Sequence, residues 1–224
     1  MGKLCIPVVE TTVKKALIAV KEANQLADLV ELRVDYLRAV SLGPFLEDRN
    51  KPFIVTNRRR EEGGKYKGEE KKRLGILQEA IDLEGDYIDV ELTTERSLLR
   101  ALIRNKGRTQ VILSFHDFHR TPSPKELQRL FDQMVRLGAD VVKIVPFAKS
   151  WGDNLSILSM IPFAERRRQK IVAFCMGEKG KISRIFSSFL GAAWTYASLS
   201  KAKASAPGQM TVDEVKAVWR VLKL

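Results

Sequence analysis

Lys143 is a lone cationic side chain in the apolar run Val141-Val142-Lys143-Ile144-Val145-Pro146-Phe147. An amine carried into a buried strand either finds a counter-ion or gives up its proton, because desolvation disfavours the charged form. A neutral amine is a nucleophile toward carbonyls, whereas a strand-end lysine can also bury its stem and keep its head in water. One unit earlier, His116 follows the apolar residues Leu113-Ser114-Phe115, and histidine exchanges protons near neutral pH. Earlier again, Tyr87-Ile88-Asp89-Val90-Glu91-Leu92 puts Asp89 and Glu91 on one face by strand alternation. A glutamate at that place can orient the imidazole of His116 and favour its protonated form. Lysine beside histidine, with arginines around them, fits imine formation with a ketone on a small carboxylic acid. The imine is an electron sink that acidifies the adjacent C–H, and His116 is the candidate to carry the proton.

Those residues meet only if the segments that carry them lie side by side. Short β-branched runs at 4–8, 29–35, 53–58, 87–92, 110–117, 141–147, 171–177 and 194–199 predict eight strands. Between them apolar residues fall at helical spacing, as in Leu127, Leu130, Phe131 and Met134, or Val212, Val215, Trp219 and Leu222. Ser123-Pro124-Lys125-Glu126 predicts a helix start with a capping box and a proline at the first helical position; Thr211 with Glu214 repeats the box. Strands alternating with helices argue for a parallel sheet covered by helices. Eight such units over 1–224 suit an α/β single-domain (β/α)8 TIM barrel, with a doubly wound open sheet as the rival. In a barrel, the C-terminal strand ends share one face, where Glu31, Arg33, Arg58, Glu91, His116 and Lys143 make an active-site inventory. His119, past the fifth strand, reads as an ordinary loop residue, and the charged, Gly-containing 59–72 segment as an exposed loop running into helix.

Other chemistries are disfavoured. Two histidines and the dispersed Cys5 and Cys175 supply no metal set and no disulfide framework, and no dinucleotide or phosphate-loop motif is present. No cofactor is expected. No stretch of about 18 apolar residues suggests a membrane span, no leader opens the chain, and a reducing cytoplasm suits the cysteine usage. The net charge of +12, with Arg58-Arg59-Arg60 and Arg166-Arg167-Arg168, raises nucleic-acid binding. Against it, the first cluster runs into Glu61-Glu62, the second ends a helix-like segment, and Trp151, Trp194 and Trp219 are scattered. A small anionic substrate is the better partner for basic residues at a site. On residues alone, another Schiff-base barrel enzyme of the class I aldolase type remains open.

The pattern resembles the type I 3-dehydroquinate dehydratases of the shikimate pathway, which leads to chorismate and the aromatic amino acids. The resemblance runs through Glu31-Leu32-Arg33-Val34-Asp35, Arg58 with Glu62-Gly63-Gly64, Asp89-Val90-Glu91-Leu92 and Ser114-Phe115-His116-Asp117-Phe118. It continues through the Lys143 strand, Met176-Gly177 to Ser183-Arg184, and Ser205-Ala206-Pro207-Gly208-Gln209. It implies a Schiff base on Lys143 with the ketone of 3-dehydroquinate, proton transfer and water loss assisted by His116, and Glu91 orienting His116. It further implies that Glu31, Arg33 and Arg58 hold ring hydroxyls, that Arg184, Ser205 and Gln209 hold the carboxylate, and that the 201–209 loop closes over the substrate. A homodimer is expected on the same ground. The first strand departs from the family, with Pro7 and Val8 where a hydroxyl side chain is expected.

Overall fold

The computed structural model describes residues 2–47 and 49–223. Eight strands form one sheet: β1 Leu4–Val8, β2 Leu29–Arg33, β3 Phe53–Thr56, β4 Tyr87–Glu91, β5 Gln110–Asp117, β6 Val141–Pro146, β7 Lys170–Ala173 and β8 Thr195–Tyr196. Each pairs in parallel with its sequence neighbour from β1 to β7, and β8 pairs with β1. That sequential order is a barrel and rules out the doubly wound sheet, whose strand order reverses at a switch point. β7 and β8 approach through one hydrogen bond, Ala193 N–H to Ile171 O at 2.7 Å, so the ring is nearly closed.

The helices follow in chain order as α1 Val13–Leu26, α2 Gly43–Leu46, α3 Glu70–Asp82, α4 Arg96–Arg104 and α5 Pro124–Leu137, then α6 Asp153–Leu158, α7 Met160–Arg166, α8 Lys181–Phe186 and α9 Val212–Val221. Both predicted capping boxes form, at Ser123 with Glu126 and at Thr211 with Glu214, satisfying amide donors that a helix start leaves unpaired. α5 buries Leu127, Phe131 and Met134 against the sheet, the face set by spacings of four and three. No described helix is long and apolar enough to cross a membrane.

Strand alternation sorts the core in two. Val30, Leu32, Val55, Ile88, Val90, Val111 and Leu113 belong to the layer between strands and helices. Leu29, Ile54, Ile112, Val141 and Val172 fill the barrel interior with Trp194 and Tyr196. Two residues further along the interior-facing series stand Glu31, Thr56, Asp89, Ser114 and Lys143, all buried. A polar layer thus lies on an apolar plug.

The segment after β3 is largely exposed and runs into α3, as expected, but it is anchored to the barrel at particular residues. It is a tight connection in which Arg59 bridges to Tyr66 and Glu62 is buried at 7% exposure. A 3-10 turn at Arg60–Glu62 folds the chain back, and Gly64 passes so near Arg58 that a Cβ there would lie 1.9 Å from the Arg58 carbonyl oxygen. Gly64→Ala therefore displaces this turn, with Arg58 and Glu62 on it. The expected outcome is a loss of about 1–3 kcal/mol in denaturant unfolding, accompanied by impaired catalysis; an unchanged midpoint and rate would show that the turn yields freely.

Candidate active site

The polar layer opens into a cavity at the C-terminal strand ends, holding about 500 Å³ of empty space including its mouth. Glu31, Arg33, Arg58, His116, Lys143, Arg184, Ser205 and Gln209 all line it, together with Glu62 and Tyr196. Glu91, Pro7 and Val8 do not line it.

Lys143 reaches this cavity because it stands on the interior-facing series of β6, in register with β5, where Ser114 pairs with Lys143 and His116 with Val145. Its amine has found counter-ions rather than water: Nζ lies 2.8 Å from Asp89 Oδ2 and 3.6 Å from Glu31 Oε1. Tyr196 Oη is 3.3 Å away, and the Tyr196 ring centroid lies 4.6 Å from Nζ. Asp89 also accepts from Arg58 Nη2 at 2.8 Å and from the Ser114 hydroxyl at 2.6 Å. Burial works against the Asp89 charge, yet Arg58 and Lys143 hold its carboxyl well below the usual range.

His116 pairs with Glu62, not with Glu91, its Nδ1 lying 3.0 Å from Glu62 Oε2. Glu91 is drawn the other way because two guanidiniums compete for it: Arg58 Nη1 bonds Oε1 at 3.0 Å and Arg73 Nη1 bonds Oε2 at 2.6 Å. Burial pushes the Glu91 carboxyl above its ordinary value in spite of both. Glu62 reaches the imidazole because the turn after β3 points it inward, where Thr93 Oγ1 also donates to it at 2.6 Å. Burial opposes its charge, but the bonds from His116 and Thr93 and the Arg58 cation keep its carboxyl below the usual range. Burial and the Arg58 cation, with Lys143, lower His116 to about 4 against the pull of Glu62. A neutral imidazole donating from Nδ1 to a carboxylate leaves Nε2 with a lone pair, which is a general base.

Among the described residues ten charged side chains are buried, and of these Arg184 alone has no charged partner there. Its Nε and Nη2 make no hydrogen bond within the described residues, its guanidinium lies 4.4 Å over the Phe174 ring, and burial lowers it to about 10. Arg33, by contrast, is held by Asp35 through two bonds of 2.8 Å. Ser205 and Gln209 face the cavity from the loop after β8, joined by Ser205 N to Gln209 Oε1 at 2.6 Å. That loop leans on the one after β7: Gly177 N bonds Pro207 O, and Gly208, at φ +72, passes where a Cβ would lie 2.2 Å from Gly177 O. No cluster among the described residues has the makings of a metal site.

Sequence reasoning missed Glu62 as the partner of His116, Asp89 as that of Lys143, and Arg73 and Tyr196 altogether. Glu62 carried a signal, since it stands four residues after Arg58, ahead of two glycines. Arg73 sits in the run Glu69-Glu70-Lys71-Lys72-Arg73, which reads as a solvated helix face.

Fold and site define a (β/α)8-barrel enzyme with a buried lysine, a histidine and compensated carboxylates at its C-terminal mouth. The family model for type I 3-dehydroquinase matches residues 4–224, and the chain belongs to that family. It is 36% identical over 223 residues to a 3-dehydroquinate dehydratase of Methanocaldococcus jannaschii, covering 99% of each chain. To that of Thermococcus gammatolerans it is 42% identical over 213 residues, covering 93% of each. A type I 3-dehydroquinate dehydratase of Clostridium difficile, solved with covalently modified comenic acid, matches with a TM-score of 0.85 at 26% identity, over 99% of this chain and 92% of that one.

The state of His116 has a measurable consequence. Its value in the folded chain, about 4, lies below the unfolded value near 6.5, so acid favours the unfolded chain as pH falls between the two. Wild-type stability is expected to drop by roughly 3 kcal/mol relative to His116→Gln across that window. Denaturant titrations from pH 7 to pH 4 read it, and parallel curves for the two proteins would contradict a neutral imidazole in the folded chain.

Proposed function

We propose that this chain removes water from 3-dehydroquinate through an imine on Lys143, with His116 as general base and acid, yielding 3-dehydroshikimate for the shikimate pathway. The observation that carries this reading is the pairing, in one cavity, of a buried amine with a buried guanidinium that lacks an anion. A buried cation without a partner is unfavourable by several kcal/mol, and a carboxylate meets a guanidinium through two parallel bonds. A ligand with a carboxylate at one end and a ketone at the other answers both.

In the proposed sequence, the Lys143 amine adds to the ketone and water leaves, giving the imine. His116 Nε2 takes a proton from the adjacent carbon, and the resulting enamine expels the β-hydroxyl, which takes a proton from His116 and departs as water. A second water returns the ketone and the amine. Glu62 holds the imidazole by Nδ1 and stabilises its cation when the proton arrives, the role first assigned to Glu91. Glu31, Arg33 and Arg58 hold the ring hydroxyls, and Ser205 and Gln209 join Arg184 on the carboxylate as their loop excludes water from the imine. Glu91 acts behind Arg58. The proposal includes a homodimer, which molar mass in solution tests, and a cytoplasmic setting, which the two buried free thiols of Cys5 and Cys175 suit.

Borohydride added with 3-dehydroquinate is expected to inactivate the enzyme and to leave a reduced adduct on Lys143 by peptide mass mapping. The product of the untreated reaction is expected to show the ultraviolet absorbance of a conjugated enone. An unmodified Lys143, or two carbonyl fragments in place of the enone, would defeat the mechanism. Arg184→Ala is expected to reduce kcat/KM by roughly 10- to 100-fold, mainly through KM, as a charged hydrogen-bond pair is lost. An unaffected KM would take the carboxylate away from Arg184.

A further inference from the structure

We propose that Arg73, on α3 outside the barrel, is a positioning residue for the active site, acting through Glu91 on the substrate-facing guanidinium of Arg58. This inference rests on the function proposed above and goes beyond it, to a residue that touches no part of the cavity.

Arg73 is the largest fully buried side chain among the described residues. Its fork is fully used. Nε and Nη2 bond the two oxygens of Glu70 at 2.8 Å, Nη1 bonds the Asn57 carbonyl at 2.8 Å and Glu91 Oε2 at 2.6 Å, and Nη2 also reaches Thr94 Oγ1 at 3.1 Å. Asn57 Nδ2 returns a bond to the Arg73 carbonyl at 3.1 Å, tying the end of β3 to α3. Glu91 spends its other oxygen on Arg58 Nη1 at 3.0 Å and on Arg59 N at 3.2 Å. From the helix inward, Glu70, Arg73, Glu91, Arg58, Asp89 and Lys143 therefore alternate in sign, each within bonding distance of the next.

Stability alone does not account for the Arg73–Glu91 pair, because well-packed apolar residues in place of both partners of a buried ion pair are often neutral or stabilising, whereas removing one partner alone leaves a buried charge unpaired. What an apolar residue cannot do is fix a carboxylate. Glu91 does not line the cavity, so its work is done on Arg58, and Arg73 sets which oxygen Arg58 receives. Arg58 and Arg73 favour the Glu91 charge, while Asp89, Glu62 and burial oppose it. With Arg73 gone, Glu91 takes up a proton at higher pH and releases Arg58 as it does so.

The experiment is the pH profile of kcat/KM with 3-dehydroquinate for wild type, Arg73→Met, Arg73→Gln and Arg73→Lys, with circular dichroism at each pH to show that the fold persists. Arg73→Met is expected to lose roughly 10- to 100-fold in kcat/KM, since small misplacements of a positioning group have effects of that size. Its acid limb is expected to move to higher pH. Arg73→Lys keeps a cation beside Glu91, so its acid limb is expected to stay near that of wild type, with a smaller loss. If Arg73→Met does not fold, Arg73→Gln, also neutral, carries the same reading. A neutral variant with wild-type kcat/KM and an unshifted profile would overturn the inference, as would equal losses in the neutral and Lys variants without any shift. Turnover absent from the wild type would overturn the functional reading and this inference with it, whereas an active wild type beside an unshifted neutral variant overturns this inference alone.

Discussion

Arg58 bonds two carboxylates that stand two residues apart on the interior face of β4, and each is out of contact with water. Ions in a low-dielectric interior persist only where partners and hydrogen bonds replace the lost solvent. The mouth of the barrel obeys that rule strand by strand: Glu31 receives the Thr56 hydroxyl and Lys143, Asp89 receives Ser114, Arg58 and Lys143, and Glu91 receives both arginines. A slip of one residue in any of β2 to β6 would turn such a side chain out of the polar layer and into the apolar layer beneath the helices. The charge network therefore specifies register as firmly as the hydrophobic plug below it does.

Compensation this complete also decides what the site can do. Groups whose bonds are already made do not reorganise when a substrate arrives, and preorganised dipoles and charges are worth most in a cavity that excludes water. Among the described residues, the Arg184 guanidinium keeps an unpartnered edge and the neutral His116 imidazole, bonded to Glu62 through Nδ1, keeps the Nε2 lone pair. They lie in the same cavity as Lys143. Under the proposed function, anion recognition, proton transfer and covalent attack would fall to three different elements, α8, β5 and β6, which carry Arg184, His116 and Lys143.

The fold was legible because its signals are local and repeated. Eight apolar runs separated by helical spacing and two capping boxes admit few arrangements, and the structure differs mainly in length, β8 ending at Tyr196 where a run to 199 was expected. Lys143 and His116 were legible for a related reason: a single polar residue in or after an apolar strand is conspicuous. Glu91 was placed on the correct face and given the wrong neighbour, since alternation says where a carboxylate points and nothing about which cations compete for it. Glu62 and Arg73 lay beyond this kind of reading. One depends on a tight turn through Gly64, the other on which face of a charged helix the barrel buries, and both are tertiary facts.

Asp89 and Glu91 show how far environment separates like residues. They share a strand and a face and both bond Arg58, yet one carboxyl is held well below its usual value and the other is pushed above it. Asp89 has Lys143 as its second cation, so it stands as a fixed anion beside that amine. Glu91 has Arg73 as its second cation, and burial outweighs its two arginines. Diverging carboxylates of this kind mark a division of labour: neither lines the cavity, but one pairs with Lys143 and the other is held by Arg73 of α3. In the proposed reaction the substrate brings the one anion that folding leaves out, opposite Arg184, and it displaces water from the mouth as it does so. The charge balance of the cavity is then complete only in the complex, so that binding energy from the carboxylate end brings the ketone to the amine without loosening the network that holds it.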